Sequence, residues 1–159
     1  MEEYFPFEIN YRITFPSETK YVELLVKNMV KELNDVWELG NKITRELRDY
    51  KPGTIDFRKI GLSMDEAIQN AIEHGNKFDA EKTVMLSYKI NNDGVEIYIE
   101  DQGSGFNPED VPDPTALENL LNPRGRGILF MKGMMDLVNY NESGNGLKIK
   151  KCWNFNLEA

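Results

Sequence analysis

Residues 83–105 read TVMLSYKINNDGVEIYIEDQGSG, and this stretch decides the fold. Val84, Leu86, Tyr88 and Ile90 recur at every second residue, as do Val95, Ile97 and Ile99. That is the period of a strand with one buried face. Asn92-Asp93-Gly94 between the two runs is hairpin-turn chemistry, so the reading predicts strands over 83–90 and 95–100, joined directly and antiparallel. Asp101 continues the phase of Val95, Ile97 and Ile99. It sets a carboxylate at the end of an apolar face, which costs free energy unless a donor meets it. An adenine amino group is one such donor. Gly103 and Gly105 let the backbone turn sharply and approach a ligand, although Asp-x-Gly-x-Gly alone reads more simply as a strand-ending turn.

Upstream, residues 55–75 read as a helix stopped by Gly75-Asn76. Within it, Met64, Ala67, Ile68, Ala71 and Ile72 fall on one side at about 100° per residue. Glu66, Asn70, Glu73 and His74 fall on the other. Taken alone this is an ordinary solvated polar face, and His74, the sole histidine, reads as local packing or capping. Residues 7–15 (FEINYRITF) read as a strand ending at Pro16, and Ser17 reads as an N-cap with Glu18 in the first turn. From there to about Tyr50 the pattern is helical, with Tyr21, Leu24, Leu25, Met29 and Leu33 on one face and a second helix over Val36–Leu47. Pro52-Gly53 breaks the run.

Downstream, residues 102–124 hold Pro108, Pro112, Pro114 and Pro123 besides two glycines. A turn-rich loop of that length inside a domain is a candidate for function. Its acids Glu109, Asp110, Asp113 and Glu118 read as solvated. Arg124-Gly125-Arg126-Gly127 opens a helix running to Met135. A glycine-rich entry to a helix presents free N–H groups and the positive end of the dipole, where phosphate binds readily. Met131, Met134 and Met135 read as core. Residues 136–141 and 147–157 read as closing strands around Ser143-Gly144-Asn145-Gly146, with Cys152 on the more polar face. The order predicts an α+β fold, a two-layer α/β sandwich with helices on one face of a mixed, mostly antiparallel sheet. The chain of 159 residues is expected to form one domain, 1–159, its extended N-terminal strand and helices occupying about 1–54.

A net charge of -8 argues against sequence-independent nucleic-acid binding, which needs a basic surface, and against an anionic membrane. One cysteine excludes an internal disulfide, and no Cys/His set closes a zinc site. The mixed, acidic N-terminus is unlike a signal peptide and no apolar run spans a bilayer, so a cytoplasmic location is expected.

Glu66-x-x-x-Asn70, then Asp101-x-Gly103-x-Gly105, then Gly125-x-Gly127 resemble, in order, the N, G1 and G2 boxes of the GHKL ATP-binding fold (the Bergerat type), shared by gyrase, histidine kinases and mismatch-repair ATPases. DEAIQNAIEHGN and RGRGILFMKGMMD look like bacterial anti-sigma-factor serine/threonine kinases. The resemblance covers about 55–150. It implies ATP and Mg²⁺ as ligands, with Asn70 on the metal and Glu66 as the catalytic general base toward a serine hydroxyl. It further implies Asp101 accepting from adenine N6, Gly103 and Gly105 hinging a lid, and Gly125 and Gly127 cradling phosphates with charge from Arg124 and Arg126. The partners implied are a small anti-sigma-factor antagonist that is phosphorylated, a sigma factor, and a second copy of the chain as a homodimer. Two departures stand out. Leu147 follows Gly144-Asn145-Gly146 where many relatives have threonine, and the N-terminal helical stretch is long. A nucleotide-gated binding module with little catalysis is the alternative. A sensor histidine kinase would need a helix pair bearing a phospho-acceptor histidine, and a gyrase-like ATPase a transducer domain.

Overall fold

The computed structural model describes residues 8–43, 54–91, 93–113, 115–119 and 125–153. Strand β2 (Thr83–Asn91) and strand β3 (Gly94–Asp101) form the expected hairpin, with Asn91 opposite Gly94 and Leu86 opposite Ile99. Strand β1 (Ile9–Pro16) pairs with the outer edge of β2. Strand β5 (Gly146–Cys152) pairs with β3 and with β4 (Leu137–Tyr140), giving the order β1-β2-β3-β5-β4. Every described pairing is antiparallel, so the sheet carries none of the parallel pairing that a mixed sheet would hold.

Alternation sorts the strand residues into two layers. Val84, Leu86, Ile97, Ile99 and Ile149 are at most 2% exposed beneath the helices. Lys89, Glu96, Lys148 and Lys150 take the opposite phase, and the Lys148–Glu96 pair (3.2 Å) lies on that outer face. Helix α1 (Val22–Ile43) is one continuous helix. Val22, Leu25, Met29 and Leu33 are buried and Val36 continues the stripe at three- and four-residue spacing, with no glycine or proline between Val22 and Val36 to divide it. The separate helix expected from Val36 is therefore absent over the described part, and residues 44–47 lie outside the described residues. Leu24 points to solvent at 57% exposure, one step off the stripe. Ser17 is not the cap either: Glu18 precedes a short 3-10 turn, Thr19–Tyr21, and the buried Ser17 hydroxyl has no partner.

Helix α2 (Thr54–Asn70) lies beside α1, and Gly61 sets the approach, since a methyl there would stand 3.0 Å from Val30 Cγ2. After Asn70 the helix widens into a π turn, Ala71–Gly75, a feature that clusters at functional positions. Helix α3 (Arg126–Met134) packs its buried Met131 against the same core, with Met135 buried just beyond and Met134 half-buried. No helix among the described residues is long and apolar enough to cross a membrane.

Candidate functional site

Helix α2 and the π turn that continues it bury Met64, Ala67, Ile68, Ala71 and Ile72, so the opposite edge of α2 carries Glu66 and Asn70 one turn apart. Asn70 Nδ2 donates to Glu66 Oε1 at 3.1 Å. The reverse orientation would set an amide oxygen against a carboxylate, so this bond fixes the amide and leaves Asn70 Oδ1 as a free acceptor. Glu73 and His74 are exposed in the π turn and line the same cleft. His74 thus faces the cleft instead of packing locally.

Asp101 ends β3 on the apolar face, as its phase requires, and is 9% exposed. Burial pushes its carboxyl above the ordinary aspartate value, partly offset by the Gly103 amide, which donates to Oδ1 at 2.7 Å. Its backbone is clamped from the turn before β5: the Asp101 amide donates to the Asn145 carbonyl and Asn145 Nδ2 donates to the Asp101 carbonyl, both at 2.9 Å. The carboxylate rests against Gly75, where any Cβ would stand 2.2–2.5 Å from its atoms. Beyond Gly75, Lys77 and Phe78 are both left-handed (φ 56 and 57), each costing about 1–3 kcal/mol. Asn76, fully buried, holds this reversal in place.

Gly125 caps α3 at φ 79 and brings no side-chain acceptor. The amides of the first turn therefore keep their capacity for an anion. Gly127 meets Glu66 directly, with a methyl at Gly127 falling 1.8 Å from Oε1. On the far wall, Gly105 (φ 72) and Gly144 (φ 73) interlock, each Cα against the other segment's backbone. Phe106 meets Tyr140 edge-on at 4.8 Å. The Tyr140 phenol is pushed up to about 12 by burial and then by Glu66 and Asp101, and so stays neutral.

These parts enclose one cleft of about 820 Å³, a size suited to a nucleotide. Of the expected site residues, Glu66, Asn70, Asp101, Gly105, Gly125 and Gly127 line it. Gly103 sits behind Asp101, pressed against the Gly75 carbonyl. Arg126 is exposed on the first turn of α3 and is not among the lining residues. Arg124 lies outside the described residues. Sequence reasoning missed Gly75, Asn76, Tyr140 and Asn145 as parts of the site; the glycine-asparagine pair closing DEAIQNAIEHGN was a visible signal for the first two only. Leu147, where the resemblance implies threonine, is 4% exposed and forms apolar wall beside Ile99. Among the described residues no group of three or more His, Cys, Asp or Glu is placed to hold a metal. A cation here would have few protein ligands, which suits Mg²⁺, an ion that keeps most of its waters.

Residues 15–153 match the family described as the histidine kinase-like ATPase domain. The anti-sigma F factor of Clostridium perfringens is 33% identical over 101 residues, covering 62% of this chain and 72% of the relative. That of Clostridium beijerinckii is 35% identical over 107 residues, covering 64% and 75%. The serine-protein kinase RsbW of Staphylococcus epidermidis is 30% identical over 97 residues, covering 56% and 61%. With the match spanning nearly the whole sheet and every wall of the cleft, the chain belongs to the histidine kinase-like ATPase family.

Proposed function

We propose that this chain binds Mg-ATP and transfers its γ-phosphate to a serine or threonine of a small antagonist protein, regulating a sigma factor by exchange of partners. The observation that carries the reading is the Glu66–Asn70 pair held against the first turn of α3 at Gly127. It sets a carboxylate, a free amide oxygen and helix-end amides around one point. Asn70 Oδ1 would hold the Mg²⁺. The ion offsets phosphate charge when bound.

Glu66 acts as general base: its carboxylate takes the hydroxyl proton as the oxygen bonds to the γ-phosphorus, and the bond to the β,γ-bridging oxygen breaks to release ADP. The backbone amides at Gly125 and Gly127 bind phosphate oxygens, with Arg126 and, from sequence alone, Arg124 adding positive charge. Asp101 accepts from the adenine amino group, and Gly103 and Gly105 let the chain pass close to it. The relatives named as anti-sigma F factor and serine-protein kinase support the choice of partner class. A single domain, a homodimer, and a cytoplasmic setting go with that choice.

The test is incubation with Mg-ATP and a cognate antagonist, followed by phosphosite mapping by mass spectrometry. Phosphoserine or phosphothreonine on the antagonist is expected with the wild type, and a loss of about 10²–10⁴-fold with Glu66→Gln at retained ATP affinity. Bound antagonist without any phosphorylation would remove the kinase reaction. Partner affinity that changes with nucleotide would then favour the gated binding module.

A further inference from the structure

Asn76 is not among the residues lining the cleft, yet each of its four polar atoms makes a hydrogen bond beside it. It is fully buried. Its backbone amide donates to the Ala71 carbonyl at 2.8 Å, closing the π turn, and its carbonyl accepts from Asp79 at 3.1 Å. Its side chain joins a closed ring of three hydrogen bonds. The Gln102 amide donates to Asn76 Oδ1 (2.8 Å), Asn76 Nδ2 donates to the Thr83 carbonyl (2.9 Å), and the Thr83 amide donates to Gln102 Oε1 (2.7 Å). The end of α2, the start of β2 and the peptide following Asp101 are locked to one another by this ring.

The ring matters because of what adjoins it on each side. Gly75, immediately before Asn76, forms the surface on which the Asp101 carboxylate rests, and the Gly75 carbonyl abuts Gly103. Gln102, immediately after Asp101, is the residue whose peptide the ring holds. Asp101 is thus fixed from both sides through Asn76: its carboxylate by the glycine to which Asn76 is joined, its backbone by the amide that Asn76 binds. The Gly103 amide occupies Oδ1, which leaves Oδ2, on a residue that lines the cleft, as the oxygen with no donor among the described residues. A side-chain amide is what this position requires, because it must accept from Gln102 and donate to Thr83 at once.

We infer that Asn76 is a positioning residue for base recognition: it holds Asp101 so that the open Oδ2 can accept from the exocyclic amine of a 6-aminopurine, and so sets the preference for adenine. The inference rests on the ATP-binding reading above. A hydrogen bond to a charged acceptor is worth roughly 10- to 150-fold in affinity, and it depends on direction. If the Asp101 peptide is free to turn, that increment shrinks while contacts to ribose and phosphate remain.

The experiment compares the affinities of Mg-ATP and Mg-purine riboside triphosphate, which lacks only the 6-amino group, for the wild type, Asn76→Ala and Gln102→Ala. Both ligands require the same folded protein, so a loss of overall stability moves both affinities and leaves their ratio alone. The wild type is expected to prefer ATP by about tenfold or more. In Asn76→Ala the preference should fall to about threefold or less, and in Gln102→Ala to an intermediate value. Gln102 has an exposed side chain, so its variant carries the test if Asn76→Ala does not fold. An undiminished ratio in whichever variants fold overturns the role of Asn76 and leaves the ATP site standing. Failure of the wild type to bind either nucleotide overturns the ATP reading itself.

Discussion

Gly127 and Glu66 occupy adjoining space so closely that a methyl group on Gly127 would sit 1.8 Å from Glu66 Oε1. The first turn of α3 and the Glu66 carboxylate meet in this arrangement because position 127 has no side chain. The atom in the way is the far end of a flexible carboxylate, so relief is cheap for the fold and costly for the site. Gly127→Ala should therefore fold, with a melting temperature within a few degrees of wild type. It should lose phosphotransfer by about 10²-fold, the scale set by displacing a reacting group by about 1 Å. Circular dichroism melting and the phosphotransfer assay check the two halves, and unchanged transfer would separate Glu66 from the chemistry.

Asp101 has the reverse of the usual aspartate linkage. Burial raises its folded-state carboxyl above the ordinary value of 3.8, so between those two pKa values the folded chain holds the proton more tightly than the unfolded chain does. Its contribution to stability is fully present below the unfolded value and is lost as pH rises through the folded one. Asp101→Asn should raise the melting temperature of the nucleotide-free protein at pH 7 and weaken ATP binding. The stability gain should vanish when the melts are repeated well below pH 4. A gain that persists there would assign it to something other than the buried charge.

Away from the cleft, Asp136 accepts from Lys151 Nζ at 3.2 Å and from the Cys152 amide at 2.6 Å. Lys151 shares the core face with Ile149 and is only 9% exposed. Asp136→Ala leaves a nearly buried ammonium and a backbone amide unpaired, with an expected loss of about 1–3 kcal/mol in urea unfolding. A change under about 0.5 kcal/mol would mean that water replaces the carboxylate at no cost.

Leu147→Thr places a hydroxyl in the wall opposite Ile99, where the family resemblance implies one. Loss of apolar packing should cost about 1–2 kcal/mol of stability, while Mg-ATP affinity rises about two- to tenfold. Calorimetric titration measures it, and weaker binding would show a pocket already fitted to leucine.

Much of this was legible in the chain. Alternation from Val84 to Asp101 carries the hairpin and the inward direction of the carboxylate, because side chains on a strand can point only two ways. The order of Glu66, Asn70, Asp101, Gly125 and Gly127 carries the family. The continuity of α1 past Val36 was also present in the spacing, where an unbroken stripe outweighs a break that no residue enforces. Leu24 shows the limit: a helical pattern that admits both Leu24 and Leu25 does not say which one the core takes.

The sequence by itself determined which residues pair within an element and which face each presents, since those follow from local geometry with periods of about 3.6 and 2 residues. It named several residues that line the cleft and missed others, among them Gly75, Tyr140 and Asn145. Only the tertiary structure decided how they meet. The contact between Gly127 and Glu66 joins residues 61 positions apart. The support of Asp101 by Gly75 and Asn76 passes through a π turn and two left-handed residues that no local preference favours. Such arrangements persist because many long-range hydrogen bonds and close contacts are satisfied together, and that sum exists only once the layers have packed.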